Sequence, residues 1–398
     1  MSYPRILLQS GREQALTFHH PWIFSRAIAK VPQGLEDGSL VAVCANNGNV
    51  LATGYYNSHS QIALRLFAFG PEKAIDQRFL EEKFKACLEQ RQPCIDFKTT
   101  NAYRLVFAEG DNLPGLIVDR YGDFLVIQIH TLGMEKLKPG VVAALQKVFQ
   151  PAGIYERSDV EVRKKEGLKT LPTGVLAGET PPDAYEIMEN GIRYFVDIKH
   201  GQKTGFFLDQ RQNRQAIEAY SKGKTALNLF SYSGGFSVAA LQGGAKKVTS
   251  VDISKDALEL ARRNFSLNGF DSDQHDFIES DVFEYLKKAQ ATKQKFDVIV
   301  VDPPAFVKNK ESLNHGVNAY IQLNAAALKL LSPNGIFVTS SCSSHVSSEM
   351  FRTILFKAAL QAGVNLVLVD SKIQPPDHPI SIHFPEGEYL KFFVCLSC

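Results

Sequence analysis

The 398-residue chain has few cysteines, one tryptophan, almost no net charge and no long uninterrupted apolar run. Each scarcity excludes something. A membrane-spanning helix needs about 20 consecutive apolar residues, and no stretch approaches that length. Residues 1–14 lack an apolar region followed by a small-residue cleavage site, so a cytoplasmic protein is expected. Six cysteines, Cys44, Cys87, Cys94, Cys342, Cys395 and Cys398, are too thinly spread for a secreted disulfide scaffold and are expected to be reduced. Cys395 and Cys398 form a C-x-x-C, but no second pair or histidine stands at zinc-finger spacing, so no metal is expected. A net charge of +2 neither demands nor forbids a nucleic-acid partner, because such binding depends on a local basic face. Repeats and low-complexity tracts are missing too.

What is present is 44% apolar residues, enough for about two or three domains with cores of their own. The most informative stretch is 226–252. It reads as a strand over 226–230, a turn of Ser231, Tyr232, Ser233, Gly234 and Gly235, a helix opening over 236–242, and a strand over 247–251 ending in Asp252. In a doubly wound α/β sheet the turn after the first strand passes close to a cofactor, and an acid ending the second strand can hold ribose hydroxyls. The G-x-G-x-x-G that seats a pyrophosphate is absent, so a cofactor without one is expected. Strand-like runs at 277–280, 296–301, 335–340 and 365–369 alternate with helical patterns, which predicts a largely parallel sheet with ligands at the strands' carboxyl ends. Asp281, Asp302 ahead of Pro303 and Pro304, and Cys342 among serines all stand at such ends.

These features resemble class I S-adenosylmethionine-dependent methyltransferases. The resemblance implies S-adenosylmethionine as cofactor, bound by Phe206, Asp209, Arg211, Asn228, Phe230, Ser231, Tyr232, Ser233, Gly234, Gly235, Asp252, Ile253, Ser254, Asn268, Asp281, Val282, Asp302 and Pro303. Asp252 would take the ribose. Asp281 would accept from the adenine amine, cap the following helix, or do both. Residues 201–211 would flank the methionine end, with Arg211 on its carboxylate, although Phe206 and Phe207 also read as core.

Earlier in the chain, short strand-like runs at 40–44, 50–56 and 62–67 predict a small β-barrel over 3–69. The patterns at 20–28 and 51–67 resemble the PUA domain, a small RNA-binding barrel. Arg26, Lys30, His59 and Arg65 read either as phosphate contacts or as solvated charge, and Trp22 as core. A helix over 75–90, strands over 103–108, 115–119, 124–130 and 153–156, and an amphipathic stretch over 136–149 predict an α+β unit. Its run at 107–128 resembles the central domain of PUA-containing ribosomal RNA cytosine-C5 methyltransferases. Arg163, Lys164, Lys165 and Lys169 read as a basic loop, facing RNA or merely solvated. Asn190-Gly191 signals a hairpin within 186–198. The expected division is 1–74 PUA-like, 75–184 central, and 185–398 methyltransferase.

The expected chemistry joins Asp302 to Cys342. Cytosine C5 is a poor nucleophile until a thiolate adds at C6 and makes C5 enamine-like. Cys342, in a serine-rich run resembling the family's motif, is the expected nucleophile, with Asp302 near N3 and the amino group. Two prolines stiffen the loop after Asp302, so Pro304 and Phe306 are expected to face the base. Many related enzymes carry a second cysteine after the prolines. This chain has Ala305 and Phe306, which leaves water, Asp302 or His345 as acceptors of the C5 proton. The resemblance implies 5-methylcytosine formation in large-subunit ribosomal RNA by a monomer or homodimer. Two alternatives stay open: a methyltransferase of purine amino groups, in which Cys342 is inert, and a non-catalytic RNA-binding or ribosome-assembly module.

Overall fold

The short apolar runs near the N-terminus make a sheet that rolls onto itself. In the computed structural model, which describes residues 2–307 and 309–398, six strands lie in the order Trp22–Phe24, Ile62–Phe69, Val50–Tyr56, Leu40–Cys44, Arg5–Leu8, Ile28–Lys30. The two outermost strands are joined in sequence by the single turn Ser25–Ala27, so the sheet's ends must approach each other. Alternate residues, among them Ile6, Leu8, Val41, Val43, Leu64 and Leu66, fill the interior. A second sheet follows in the order Gly174–Gly178, Gly153–Glu156, Phe124–Ile129, Leu116–Tyr121, Ala102–Phe107. Helices Gln77–Arg91 and Leu132–Phe149 share its core through Phe84, Leu80, Val141 and Leu145. The Asp76 carboxylate accepts from Phe79 N at 2.9 Å and starts the first of them. Both sheets belong to one compact unit, Met1–Tyr185 with Asp197–Leu208 and Pro376–Gly387.

The other compact unit comprises Glu186–Val196, Asp209–Pro375 and Glu388–Cys398. Its hairpin turns at Asn190 (φ +50°) and Gly191 (φ +82°), the left-handed pair that an Asn-Gly turn requires. The main sheet has seven strands: β1 (Thr225–Leu229), β2 (Lys247–Asp252), β3 (Asp276–Glu279), β4 (Phe296–Val301), β5 (Leu331–Ser341), β6 (Leu366–Lys372) and β7 (Lys391–Ser397). Their spatial order is 3-2-1-4-5-7-6, and only β7 runs antiparallel to its neighbours. Helices α1 (Arg211–Ser221), α2 (Gly235–Gln242), α3 (Lys255–Leu267), α4 (Val282–Ala291), α5 (Leu313–Leu328) and α6 (Ser348–Ala362) complete the unit. β4 is an almost unbroken apolar run because it is covered on both faces: Val298, Ile299 and Val301 are each fully buried. Burying each such side chain contributes roughly 1.5–3 kcal/mol.

Register turns this sheet into a platform. Leu229 pairs with both Val251 and Val301, Asp252 with Glu279, and Val301 with Thr339. The carboxyl ends of β1 to β5 therefore finish along one rim, and the residues after them share it. β7 was not among the expected strands, and β5 begins four residues before the expected 335.

Candidate active site

The turn after β1 is built for close approach. Phe230 and Tyr232 hold left-handed backbone at φ +58° and +46°, a conformation non-glycine residues adopt at a cost on the order of 1 kcal/mol each. Gly234 takes φ +77°, and a Cβ there would lie 2.9 Å from the Ala261 Cβ, so only glycine fits between the turn and α3. Ser231 N donates to Val251 O at 3.0 Å, and Asn264 Nδ2 to Ser233 O at 2.9 Å, which pins the turn. Asn228 Nδ2 donates to Ser237 Oγ at 2.9 Å. Gly235 opens α2 from a buried position. The side-chain oxygens of Asn228, Ser231, Ser233 and Asn213 are buried with no partner among the described residues. Buried polar atoms are ordinarily satisfied, so this cluster fits a polar ligand lying over the turn.

Asp252, ending β2, is held by two backbone donors: Tyr232 N on Oδ2 at 2.8 Å and Ser254 N on Oδ1 at 2.9 Å. Each carboxylate oxygen keeps a lone pair for a diol. The adjoining Ile253 is 73% exposed, an apolar side chain left open beside a carboxylate, as a flat heterocycle would require. Ser254 caps α3, accepting from Ala257 N at 3.2 Å. Asp281 caps α4, accepting from Phe283 N at 2.9 Å and Glu284 N at 3.2 Å. Asp252, Ser254 and Asp281 thus follow the carboxyl ends of β2 and β3, on the same rim as the turn after β1.

The chemistry-bearing pair sits at the next two strand ends. Asp302 Oδ1 accepts from Gln210 Nε2 at 3.0 Å and from the Ser340 hydroxyl. Burial pushes its carboxyl up to about 6, with Asp209 adding to the push and the two hydrogen bonds and Arg214 opposing it. Gln210 is oriented in turn by Asn213 Nδ2, and Asp209 accepts from the Tyr389 hydroxyl at 2.7 Å. Arg214 is anchored by a buried two-point pair to Glu189 at 2.6 and 2.7 Å. Cys342 follows β5 directly and is half-buried between buried Ser341 and Ser343. Ser343 Oγ accepts from Val307 N at 3.2 Å and meets the Tyr320 hydroxyl at 3.1 Å, so the proline loop and the cysteine loop are tied together. Pro304 is exposed and Pro303 buried, while Phe306 leans on Tyr320 with ring centroids 4.8 Å apart, leaving only part of its ring for a base. Arg211 is buried at the first position of α1, and His345 is exposed.

Other expected residues are placed elsewhere. Asn268 is not at the rim: it ends α3, about 20 Å along the helix from Asp252, where it bonds Arg193 N at 3.0 Å and Arg193 O at 2.7 Å. It ties the helix to the hairpin. The Val282 side chain packs into the core. Phe206 is buried in the first unit, where its N–H donates to the Tyr121 hydroxyl. Arg163 does not face solvent or RNA; it is 1% exposed, paired with Glu135 at 2.8 Å, and donates to Ile129 O and Lys169 O. An apolar residue does not fill that position because the surrounding carbonyls need a donor. Arg65 is likewise buried, between Glu109 at 2.8 Å and Glu166 at 3.0 Å, and Trp22 donates to the same Glu109. Lys164 is exposed and paired with Glu161, whereas Lys165 lines a cleft of about 720 Å³ with Trp22, Phe24, His59 and His130. Burial and neighbouring arginines hold the His130 imidazole down to about 4, so it is neutral there. Cys395 is buried and Cys398 exposed, so the two do not share a face.

Sequence reasoning missed Gln210 and Ser340, which fix Asp302, although both lie within a residue or two of positions it had singled out.

Residues 170–383 match the S-adenosylmethionine-dependent methyltransferase family, and residues 6–69 match a PUA-like domain. A protein of Aeromonas salmonicida named ribosomal RNA large subunit methyltransferase I is 46% identical over 389 residues, 98% of each chain. Its namesake in Escherichia coli is 41% identical over 391 residues, again 98% of each. Among solved structures, SMU.776 complexed with SAH superimposes with a TM-score of 0.85 at 29% identity, over 100% of both chains. A SAM-dependent methyltransferase from Streptococcus mutans gives 0.84 at 28%, over 99% of this chain and 100% of that one. With the strand order, the pinned glycine turn and the two acids at β2 and β4 already in place, these likenesses establish that the chain belongs to the ribosomal RNA large subunit methyltransferase I family of S-adenosylmethionine-dependent enzymes, with an N-terminal PUA-like domain.

Proposed function

We propose that this chain methylates C5 of a cytosine in large-subunit ribosomal RNA, in the cytoplasm, with Cys342 as nucleophile and Asp302 at the edge of the pyrimidine. One observation carries the reading: a carboxyl pushed up to about 6 and a half-buried thiol stand at the ends of two paired parallel strands. The printed names of the relatives support the RNA substrate.

S-adenosylmethionine supplies a methyl group on a sulfonium. The remaining steps fall to the chain. Cys342 as thiolate adds to C6, and the electron pair of the C5–C6 bond moves onto C5 and toward N3. Asp302, with a proton affinity nearer neutrality than an ordinary carboxyl, delivers a proton to N3 and then faces the exocyclic amine as carboxylate. Gln210 and Ser340 keep its oxygen in one place meanwhile. After C5 has taken the methyl group, N3 returns its proton to Asp302 and C5 gives its own to water; the C5–H pair restores the C5–C6 double bond, and the C6–sulfur pair returns to Cys342. Pro303 and Pro304 hold the backbone against the base, with the open part of Phe306 beneath it. Asp252 and the turn from Ser231 to Gly235 hold the cofactor, while Asp209 and Arg211 serve its methionine end.

The work is divided along the chain, with 1–74 and 75–184 gripping RNA and 185–398 carrying the reaction. Lys165 supplies a cation for phosphate in the first unit, and His59 a ring nitrogen, beside the aromatic edges of Trp22 and Phe24.

Unmethylated large-subunit RNA incubated with S-adenosylmethionine and the protein should yield 5-methylcytidine by nucleoside mass spectrometry. Cys342→Ala should lower the yield by at least about 1,000-fold. An N-methylated purine, formed equally by both proteins, would make Cys342 structural and return the amino-methyltransferase alternative.

A further inference from the structure

β7 runs antiparallel to β5, and its register sets Lys391 opposite Ser341, the residue before Cys342. Lys391 is only 3% exposed. Its Nζ donates to Ser343 O and to Tyr389 O, each at 2.7 Å, so the ammonium is fixed by the carbonyl on the far side of Cys342 and by the approach to its own strand. Two carbonyls occupy two of its three N–H groups. No carboxylate forms an ion pair with it among the described residues, although Glu388 is near enough to be felt. A buried ammonium without a counter-ion is costly and calls for a task.

We propose that Lys391 is a positioning residue for the reaction: its fixed ammonium holds Cys342 as the thiolate. This rests on the assignment of Cys342 as nucleophile. The chemistry needs such a charge because an ordinary thiol is only a few per cent ionised at neutral pH. When the S–H bond breaks, the proton goes to water and sulfur keeps the pair, which then forms the bond to C6. Lys391 stays protonated and neither gives nor takes a proton. Burial pulls its own affinity down to about 8, and the Cys342 charge pushes back up, as expected of two groups that feel each other. The other described groups named around the pair are not cationic: Tyr320 on α5 is kept neutral by burial, Asp302 after β4 and Glu388 before β7 are acidic, and His345 is exposed.

The test is the pH dependence of iodoacetamide alkylation, resolved by peptide mass spectrometry without RNA. The exposed Cys94 and Cys398 serve as internal references in the same sample. Cys342 of the wild type should alkylate with a midpoint at least ~1 pH unit below that of Cys94. Lys391→Met should raise that midpoint by ~1 unit and leave Cys94 and Cys398 unchanged, while Lys391→Arg should restore most of it. A wild-type Cys342 midpoint equal to that of Cys94 overturns the proposal even if no variant folds. So does a midpoint unmoved by Lys391→Met in protein whose circular dichroism is native. Because alkylation needs no substrate, the shift can appear while Cys342→Ala still methylates; that combination would sink the cytosine-C5 reading and leave the thiolate pair standing.

Discussion

Asp302 carries a conflict between folding and chemistry within one side chain. Its carboxyl binds a proton more tightly in the folded chain, at about 6, than the ordinary value of about 3.9 for an unfolded chain. The stability linked to that proton is fully present below about pH 4 and is lost as pH rises through about 6. Above that, the ionised carboxylate destabilises the fold by something on the order of 3 kcal/mol. Asp302→Asn keeps an acceptor for Ser340 and Gln210 and removes the charge. It should melt higher than wild type at pH 8, show no such gain at pH 4, and lose about 100-fold or more in turnover. An equal shift in melting at both pH values would deny the raised affinity. Residues of this kind were legible because an acid after an apolar strand needs an explanation. Arg163 and Asn268 were misread for the complementary reason: a sequence shows the donor but not the carbonyls that use it up.

At the scale of elements, α4 shows how one side chain serves structure and ligand together. Asp281 Oδ1 satisfies two backbone N–H groups at the helix start, and the same carboxylate stands at the rim where the adenine amine is expected. Asp281→Ala should cost about 1 kcal/mol of stability and also weaken binding of S-adenosylmethionine. Asp281→Asn keeps a capping oxygen, so scanning calorimetry should find a small change in melting while titration calorimetry finds a loss of affinity close to that of Asp281→Ala. Affinity retained by Asp281→Asn but lost by Asp281→Ala would confine Asp281 to the cap. Most elements of the main sheet could be read from apolar runs with turn residues between them, because parallel strands buried on both faces tolerate little else. β7 escaped because proline-rich sequence precedes it, and its partners, β5 and β6, come from earlier in the chain. A pairing of that kind is decided by tertiary contacts that local sequence does not encode.

Over the whole molecule, a net charge of +2 leaves RNA binding to local groups. A PUA-like segment ahead of a methyltransferase segment was legible because each carried its own residue patterns. The pairing of Asp302 with its hydrogen-bond donors was not, because it joins β4, β5 and the approach to α1. The central claim concerns a covalent bond, and the most direct measurement traps it. Large-subunit RNA containing 5-fluorocytidine has no C5 proton to lose, so after methyl transfer the bond from sulfur to C6 should persist. With S-adenosylmethionine present, the account predicts a denaturant-resistant protein–RNA complex whose modified peptide maps to Cys342 and which is missing in Cys342→Ala. Full methylation of ordinary RNA with no trapped complex, or a complex mapped to another residue, would contradict it.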